Sequence, residues 1–340
     1  MLVQGAALVP IKSLSPQNRG LPRRRKTINL PVVVAPITPT PRNPAPLTVP
    51  SLLLSTVRCR QIVDTDVGTV IMLLKNGFPC RSCEYWSQVL DRLAKHPTPA
   101  GMPKYGYLIE SAGAPVGAIL LISSSIQEGD KLAVRCNLSS WFVEPEFRIH
   151  ASPLISQATR RQDVTYFNIS PANQTRLIVE AQGFTRYSDG RFVARVFPSI
   201  RQHAPVQIVG SDVYPNAPFE AFERDLLLAH ARYGCISVWC VTSERAYPFV
   251  FLPRIAKCII PCAQLIYCRH IEHFIQFAQP IGSYLAMRGK LFVLIDSKGP
   301  IRGLVGRYRG GVAPKYFKGP ILPRVGDLAY TEAAILPSLF

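Results

Sequence analysis

The chain lacks several features that would place it in a common class of protein. No run of about 18 uncharged apolar residues occurs among its 340 residues, so the sequence predicts no transmembrane helix. Its nine cysteines are an odd number, and no second Cys-x-x-Cys pair accompanies Cys80 and Cys83. We therefore expect reduced thiols in a cytoplasmic protein, without a metal site and without the disulfide framework of a small secreted domain.

Acidic residues are also absent from the first 54 residues, which contain seven Lys or Arg residues and ten prolines. This stretch has no helical or strand period, and proline removes backbone donors. We therefore predict a basic, extended leader outside the fold over residues 1–54. The leader has neither the apolar core nor the cleavage pattern of a secretory signal. A transit peptide and an over-extended start of the reading frame are both compatible with it.

What the chain has in excess is positive charge. It contains 39 Lys and Arg residues against 21 Asp and Glu residues, a formal net charge of +18. Such an excess favours anionic partners, although a basic protein without a special partner is the plain alternative. The segment RYRGGVAPKYFKGP over 307–320 has two interpretations, a loop that binds phosphate or nucleic acid and a mobile basic surface loop. For nucleic acid as a partner we expect contact only with the basic leader.

Residues 55–197 are predicted to form a first α/β domain, because strand-like and helical apolar patterns alternate along them. In one predicted helix, Trp86, Val89, Leu90 and Leu93 form a single apolar stripe. The predicted elements are, in chain order, a strand over 57–63, an Asp-capped helix from about residue 64, a helix over 83–96, strands over 105–110, 116–123 and 136–143, a helix over 153–161, a strand over 164–169, a helix over 175–182 and a strand over 191–196.

A linker over 198–205 is predicted to lead into a second α/β domain over 206–340. The predicted elements of this domain are a helix over 219–229, strands over 235–241, 247–252 and 263–268, a helix over 271–278 and a strand over 291–296. Their order of hairpin, strand, helix and strand loosely repeats that of the first domain. The second domain is therefore either a diverged copy of the first or an unrelated α/β unit.

The stretch from Asn137 to Asp189 contains the most specific pattern in the chain. A buried strand leads into a polar turn and a helix, and a second strand, Ser-Pro-Ala-Asn, another helix and Gly183-Phe184 follow. This order resembles the acyl-CoA-binding half of the GCN5-related N-acyltransferases, the GNAT family, over residues 58–197. The resemblance implies a mixed, twisted sheet flanked by helices. It also implies transfer of an acyl group from acetyl-CoA or another acyl-CoA to an amine or hydroxyl of a small acceptor, such as an amine or a sugar.

In the family, acyl-CoA wedges between the splayed fourth and fifth strands, and its pyrophosphate meets backbone amides at the start of the next helix. The resemblance thereby assigns the end of one strand, the following turn and one later polar residue to CoA binding. These residues are Trp141, Phe142, Val143, Arg148, Ile149, His150, Ala151, Ser152 and Asn173. Two glycines of the family turn are replaced here by Ala151 and Pro153, which leaves fewer amide donors.

For the catalytic groups the resemblance suggests Glu144, Asn168 and Ser170. Glu144 ends the splayed strand and is either a general base or a residue that shapes the Glu-Pro-Glu turn. Many family enzymes carry a Tyr four residues before the glycine of Gly-Phe, where it protonates the leaving thiolate, and this chain has Val179 there. Either Ser170, Tyr166 or a water replaces that Tyr, or the domain is a non-catalytic relative that binds CoA, a nucleotide or a protein partner.

Overall fold

Twelve strands in one mixed sheet organise residues 57–128, 131–195, 206–256 and 259–337, the part of the chain that a computed structural model describes. The predicted leader and the predicted linker lie outside these residues. The strands are β1 (Arg58–Gln61), β2 (Gly106–Ser111), β3 (Ala114–Glu128), β4 (Lys131–Val143), β5 (Val164–Asn168), β6 (Thr185–Arg195), β7 (Gln207–Gly210), β8 (Ile236–Val241), β9 (Ala246–Ala256), β10 (Ile260–Cys268), β11 (Phe292–Ser297) and β12 (Gly306–Lys318).

The helices of the described residues flank this sheet. They are α1 (Val67–Gly77), α2 (Cys83–Lys95), α3 (Ala151–Ala158), α4 (Arg176–Ala181), α5 (Ala221–Arg232), α6 (Ile271–Gln276), α7 (Ala278–Ala286) and α8 (Glu332–Ile335). The predicted fold class, an α/β protein with a mixed sheet, is confirmed.

The sheet is symmetric about its centre. Its strand order is β1-β2-β3-β4-β5-β12-β6-β11-β10-β9-β8-β7. β4 is parallel to β5 and β10 is parallel to β11, while every other neighbouring pair is antiparallel. The two halves of the chain thus build the same five-strand pattern. Each half then gives its last strand to the other, because β6 pairs with β11 and β12 pairs with β5.

Local sequence signals explain several of these elements. α2 begins after Ser82, whose hydroxyl accepts the backbone N–H of Tyr85 at 3.1 Å. The predicted stripe on α2 is buried, with Trp86 2% and Val89 0% exposed, so the helix packs on the sheet through that face. α4 is followed closely by Gly183, whose φ of +84° suits glycine and allows the chain to turn into β6.

Hydrophobic clusters lie on both faces of the sheet. On one face, α1, α2 and α8 pack on the first half and α5 packs on the second, through residues such as Leu90, Ile335 and Leu227. On the other face, α3 and α4 cover the first half, while α6 and α7 cover the second. The alternation of side chains along each strand supplies both clusters, since Leu108 faces α2 and its neighbour Ile109 faces α3.

The structure corrects four local predictions. The helix expected from Asp64 begins at Val67, after a 3-10 turn, and the carboxylate of Asp66 accepts the Val63 N–H instead of capping the helix. α3 begins at Ala151, two residues before the predicted Pro153. The basic segment over 307–320 is largely the central strand β12, so its interpretation as a mobile surface loop is wrong. The edge strand β7 was not predicted.

Candidate functional site

The site is built where β4 and β5 separate. The two parallel strands are paired only from Val134 to Asn137 on β4, opposite Val164 to Phe167 on β5. At the end of this pairing the side-chain amide of Asn137 donates to the carbonyl oxygens of Leu138 at 2.8 Å and Phe167 at 3.3 Å. Beyond Asn137 the edge of β4 that faces β5 is left unpaired by that strand.

A bulge distorts β4 just beyond this point. Ser139 pairs with Leu120 of β3, and Phe142 pairs with Ala118, so β4 holds one more residue than β3 over this interval. Ser140 lies in the bulge with a φ of +51°, a left-handed conformation that is costly for a residue other than glycine. The bulge therefore turns local backbone and side chains out of the regular ladder.

A cavity of about 210 Å³ opens at the splay, on the face of the sheet that carries α1 and α2. β4 contributes Leu138, Ser139, Ser140 and Trp141, and the end of β5 with its following loop contributes Asn168 and Ser170. Aromatic residues and an arginine from the α1–α2 region form the opposite side, namely Phe78, Arg81, Tyr85 and Trp86. The cavity is thus apolar and aromatic with a few polar groups, as is common in small-ligand sites.

The carboxylate of Glu332 enters this cavity from α8, near the end of the chain. It accepts the hydroxyl of Ser139 and the hydroxyl of Ser170, each at 2.5 Å, and so connects the two sides of the splay. Burial raises the pKa of the Glu332 carboxyl, and the two serine hydrogen bonds only partly oppose this shift. A carboxylate with a raised pKa in a cleft is a candidate for proton transfer.

Several contacts hold α8 in place. The backbone N–H of Glu332 donates to the side-chain oxygen of Asn137 at 2.6 Å, which fixes the start of the helix on β4. Nη1 of Arg92 on α2 donates to the carbonyl of Ile335 at 2.9 Å. Before the helix, the N–H of Tyr330 donates to Nε2 of His230 at 3.1 Å. Burial lowers the pKa of His230 to about 4, so its imidazole is neutral and able to accept.

The predicted catalytic residues are only partly brought together. Asn168 and Ser170 line the cavity, and Ser170 contacts Glu332 directly. Glu144 is not among the residues that line it. Its backbone N–H donates to Val116 at 2.9 Å, and it precedes a 3-10 turn over Pro145–His150. Glu332 was missed by sequence reasoning, because it lies 193 residues from Ser139 and no local pattern marks it.

The residues predicted for CoA binding at the end of β4, and Asn173 before α4, lie in different environments. Trp141 lines the cavity. Phe142 packs against Gly77 at the end of α1, where a Cβ atom would come within 2.3 Å of the ring. Val143 is buried in the cluster beneath α3. Asn173 is exposed in the short turn before α4.

The predicted phosphate turn is part of a continuous helical segment. The 3-10 turn runs directly into α3, and the N–H of Ala151 donates to the carbonyl of Arg148. Arg148, Ile149 and Ser152 are exposed and His150 is half-buried. The hydroxyl of Ser152 accepts from the side chain of Gln182 at 2.6 Å. At least one of the amides expected to bind phosphate therefore has a partner within the chain.

The residue at the family tyrosine position, Val179, and the two side chains suggested to replace that tyrosine, Tyr166 and Ser170, lie in different parts of the fold. Val179 is fully buried in the cluster beneath α3 and has no group to donate. The hydroxyl of Tyr166 accepts the N–H of Arg161, before the start of β5, and Tyr166 does not line the cavity at the splay. Of the two side chains that the sequence suggested as replacements, only Ser170 lies in the cavity.

The parallel pair β10 and β11 also separates, but there the gap is filled. Their pairing is limited to Ala263 and Gln264 of β10. Beyond it, Cys268 donates its N–H to Gly326 at 2.9 Å, and Leu328 donates to Ile266 at 2.7 Å. The segment over 326–328 thus pairs with the edge of β10, and we call it the plug.

A buried ion pair anchors the plug. The carboxylate of Asp327 accepts from Arg135 of β4 at 2.5 Å and from Arg324 at 2.8 Å. Asp327 is buried, which opposes its charge, but the two guanidinium groups more than offset this and lower its pKa to about 2. The charged carboxylate therefore holds the plug to both halves of the sheet.

Two negative findings apply to residues 57–128, 131–195, 206–256 and 259–337. No group of three or more His, Cys, Asp or Glu side chains there is arranged to hold a metal ion. Among the same residues, none of the helices has the length and apolar character needed to cross a bilayer.

Solved structures similar to this chain include two GCN5-related N-acetyltransferases. A GCN5-related N-acetyltransferase from Kribbella flavida has a TM-score of 0.51 at 13% sequence identity, over 77% of this chain and 72% of that protein. A GCN5-related N-acetyltransferase from Anabaena variabilis has a TM-score of 0.50 at 12% identity, over the same shares of the two chains. No protein-family model matches the chain, and no curated protein matches its sequence. The likeness confirms that the chain has a GNAT-type fold.

Proposed function

We propose that the chain is an acyltransferase that moves an acyl group, such as acetyl, from acyl-CoA to an amine or hydroxyl of a small acceptor. The observation that carries this proposal is the meeting of an open strand splay and a carboxylate, Glu332, in one cavity. An unpaired strand edge offers backbone groups to a ligand with amides of its own. The two acetyltransferases named above share the overall fold, and fold alone does not give activity.

The cavity residues fit a thioester co-substrate. An acyl-CoA supplies the activated carbonyl, and the bulge at Ser140 directs backbone groups of β4 toward the place where it would lie. Nε1 of Trp141 is a buried donor without a hydrogen-bond partner among the described residues, so it is free to donate to a carbonyl of the ligand. Arg148, Ile149, His150, Ala151, Ser152 and Asn173 remain our proposed contacts for the phosphates.

Glu332 is our proposed general base. Its carboxylate can accept the proton that the acceptor amine or hydroxyl loses as it attacks the thioester carbonyl. Two hydroxyls already donate to it, but a carboxylate has about four acceptor positions, which leaves room for the acceptor substrate. Ser170 is our proposed donor to the leaving thiolate, and Asn168 lines the same cavity.

A second candidate function is binding of CoA, a nucleotide or a protein partner without turnover. The observations that favour it are the amide of Ala151, which already has a partner, and Val179, which supplies no proton. Acceptor-dependent release of CoA thiol separates the two candidates, because only a transferase produces it.

The test begins with calorimetric titration of acetyl-CoA and free CoA into the full chain and into Arg148→Glu. We expect micromolar binding that weakens at least about tenfold in Arg148→Glu, because a phosphate contact is replaced by repulsion. Arg232→Glu is the matched control, since Arg232 is exposed on α5 in the other half of the chain. If neither ligand binds to the unaltered chain, the acyltransferase proposal is wrong.

A further inference from the structure

The cavity at the splay contains buried hydrogen-bond donors that lack acceptors. Arg81, Trp86 and Trp141 line it, and Nη1 of Arg81 and Nε1 of each tryptophan are buried without a hydrogen-bond partner in the part of the chain that the structure describes. Buried polar atoms are normally paired, so such atoms in a cavity indicate what a ligand would supply. Trp141 lies on β4, the strand of the proposed cofactor site. Arg81 and Trp86 lie across the cavity and are available to another molecule.

Arg81 is a cation that faces this cavity without a carboxylate beside it. It lies between α1 and α2, where its backbone N–H donates to Phe78 at 2.9 Å and fixes the turn. Its guanidinium carbon is 4.6 Å from the centre of the Tyr85 ring, a cation–π contact, and the group also hydrogen-bonds Tyr85, while its Nη1 has no partner among the described residues. It forms no salt bridge with any residue of the described ranges.

Opposite charges therefore line one small cavity. Glu332 stands on the strand side and Arg81 on the helix side. Both groups act on the hydroxyl of Tyr85, whose pKa is raised mainly by burial, lowered by Arg81 and raised by Glu332. A ligand that carries both an amine and an anionic group matches this arrangement, and the rings of Phe78, Trp86 and Trp141 match an apolar body.

We infer that the acceptor is a small α-amino acid with an apolar or aromatic side chain, its amine placed at Glu332 and its carboxylate at Arg81 and Trp86. This inference rests on the proposed acyltransferase function. The amine gives up a proton to Glu332, its nitrogen bonds to the acyl carbon, and the carbon–sulfur bond breaks. The thiolate leaves and is protonated, so the products are an N-acyl amino acid and free CoA.

Other amines fit the cavity less well. An amine without an anionic group leaves the buried Nη1 of the half-buried Arg81 without an acceptor, which costs more than the loss of an ordinary contact. A diamine places a second cation next to Arg81. A site built to bind a polar group rejects analogues that lack it more strongly than an apolar site rejects analogues of the wrong size. The carboxylate is therefore the feature that the acceptor must have.

The experiment measures acetyl transfer by the full chain, as release of CoA thiol, with three acceptors of similar shape. These are L-phenylalanine, L-phenylalaninamide and phenethylamine. The amino group of L-phenylalaninamide is less basic than that of phenylalanine, and the amino group of phenethylamine is more basic. A difference in basicity alone therefore cannot give phenylalanine the highest kcat/KM of the three. We expect kcat/KM for phenylalanine to exceed that of both analogues without a carboxylate by at least about tenfold, the effect of one charge-assisted contact.

Arg81→Ala is expected to reduce this preference at least about tenfold, because it removes the partner of the carboxylate. Lys95→Ala is the matched control, since it removes a positive charge from the exposed end of α2 and should leave the preference as it is. The acceptor comparison on the unaltered chain needs no variant, so it stands even if Arg81→Ala does not fold.

Failure of this inference can be distinguished from failure of the proposed function. If acetyl-CoA does not bind, the function itself is wrong. If acetyl-CoA binds and the two amines without a carboxylate are acetylated as efficiently as phenylalanine, only the amino-acid inference is overturned. It is also overturned if acetyl-CoA binds and phenylalanine is not acetylated, or if Arg81→Ala and Lys95→Ala have the same preference.

Discussion

The splay between β4 and β5 and the splay between β10 and β11 occupy corresponding positions, between the fourth and fifth strands from each edge of the sheet. The first opens into a cavity, whereas the plug at Gly326–Leu328 occupies the second. A strand edge that is already paired has no free amides for a ligand. We therefore expect each chain to bind one acyl-CoA, at the first splay, although the strands around both are arranged alike.

The same short tail serves both splays. It fills the second splay with Asp327 and, five residues later, brings Glu332 into the first. The second half of the chain also holds this tail, through His230 of α5. The second splay is therefore filled by the tail, and the same tail supplies a carboxylate to the cavity at the first splay.

The largest expected effect follows from removing the anchor of the plug. Asp327→Ala leaves Arg135 buried without its carboxylate and should lower the free energy of unfolding by about 3–5 kcal/mol. Asp163→Ala is the control, because its ion pair with Arg161 has the same 2.5 Å length but is much more exposed, and its loss should change the stability far less. If urea unfolding shows the same loss of stability for Asp327→Ala and Asp163→Ala, the buried charges do not hold the plug in place.

The second largest expected effect is a loss of activity when the carboxylate in the cavity at the first splay is replaced. Glu332→Gln keeps the shape of the side chain and should lower kcat for acetyl transfer about 100-fold, as is typical for loss of a general base. Because burial raises the pKa of Glu332, the acid limb of the kcat/KM profile should lie above the usual range of a carboxyl group and be absent from the variant. Glu272→Gln, at an exposed position of α6, is the control.

The role of Glu332 as base depends on an unchanged cofactor site. Acetyl-CoA should bind Glu332→Gln within about threefold of its affinity for the unaltered chain, since only proton transfer is removed. A fall in binding that matches the fall in rate would assign Glu332 to holding the splay in shape. A rate equal to that of the unaltered chain would remove it from catalysis.

The parts of the fold that sequence predicted are those specified locally. The stripe of α2 predicted a helix and its buried face, and Gly183 marked the turn into β6. β12 escaped prediction because its first half is exposed, contains Gly310 and Gly311 and has no alternation of polar and apolar residues. Its partners β5 and β6 are far away in sequence. The exchange of last strands between the halves is a non-local pairing that no short pattern encodes.

The residues of the candidate site also fall into those that a local sequence pattern predicts and those that only tertiary packing brings together. Asn168 and Ser170 were predicted because the stretch that contains them is continuous, and both line the cavity. Glu332 and Arg81 were not predicted, since tertiary packing alone brings them to β4 from opposite ends of the described chain. The phosphate turn remains a prediction from resemblance. The 3-10 turn that includes Arg148 shows that local hydrogen bonds compete for some of its amides.

A smaller effect should appear in the acid stability of the tail. His230 has a folded-state pKa of about 4 against an ordinary value of 6.5, so the unfolded chain takes up the proton first. Stability is therefore lost as the pH falls from 6.5 toward 4, by about 2 kcal/mol at pH 5. Asp327 acts in a lower window, between about 4 and 2, because its folded pKa is lowered.

The contribution of His230 is measured by urea unfolding of the unaltered chain and of His230→Gln at pH 7 and pH 5. The difference in stability between the two proteins should shrink by about 2 kcal/mol at the lower pH, because the variant has no imidazole to protonate. Other histidines titrate in both proteins and cancel in this difference. A difference that is the same at both values would show that protonation of His230 does not loosen the tail.

The smallest expected effect concerns backbone strain, which is present in β4 at the first splay and absent from β10 at the second. In β4, Ser140 has a φ of +51°, and no residue of β10 has a positive φ. Ser140→Gly relieves this conformation but makes the unfolded chain more flexible, so we expect a net gain in stability of about 1 kcal/mol or less. Ser125→Gly, on an exposed and unstrained part of β3, should instead cost about 0.5–1 kcal/mol. If urea unfolding shows a gain in stability for Ser140→Gly and a loss for Ser125→Gly, the backbone at Ser140 is strained. A similar loss of stability in both variants would show that the bulge is not strained.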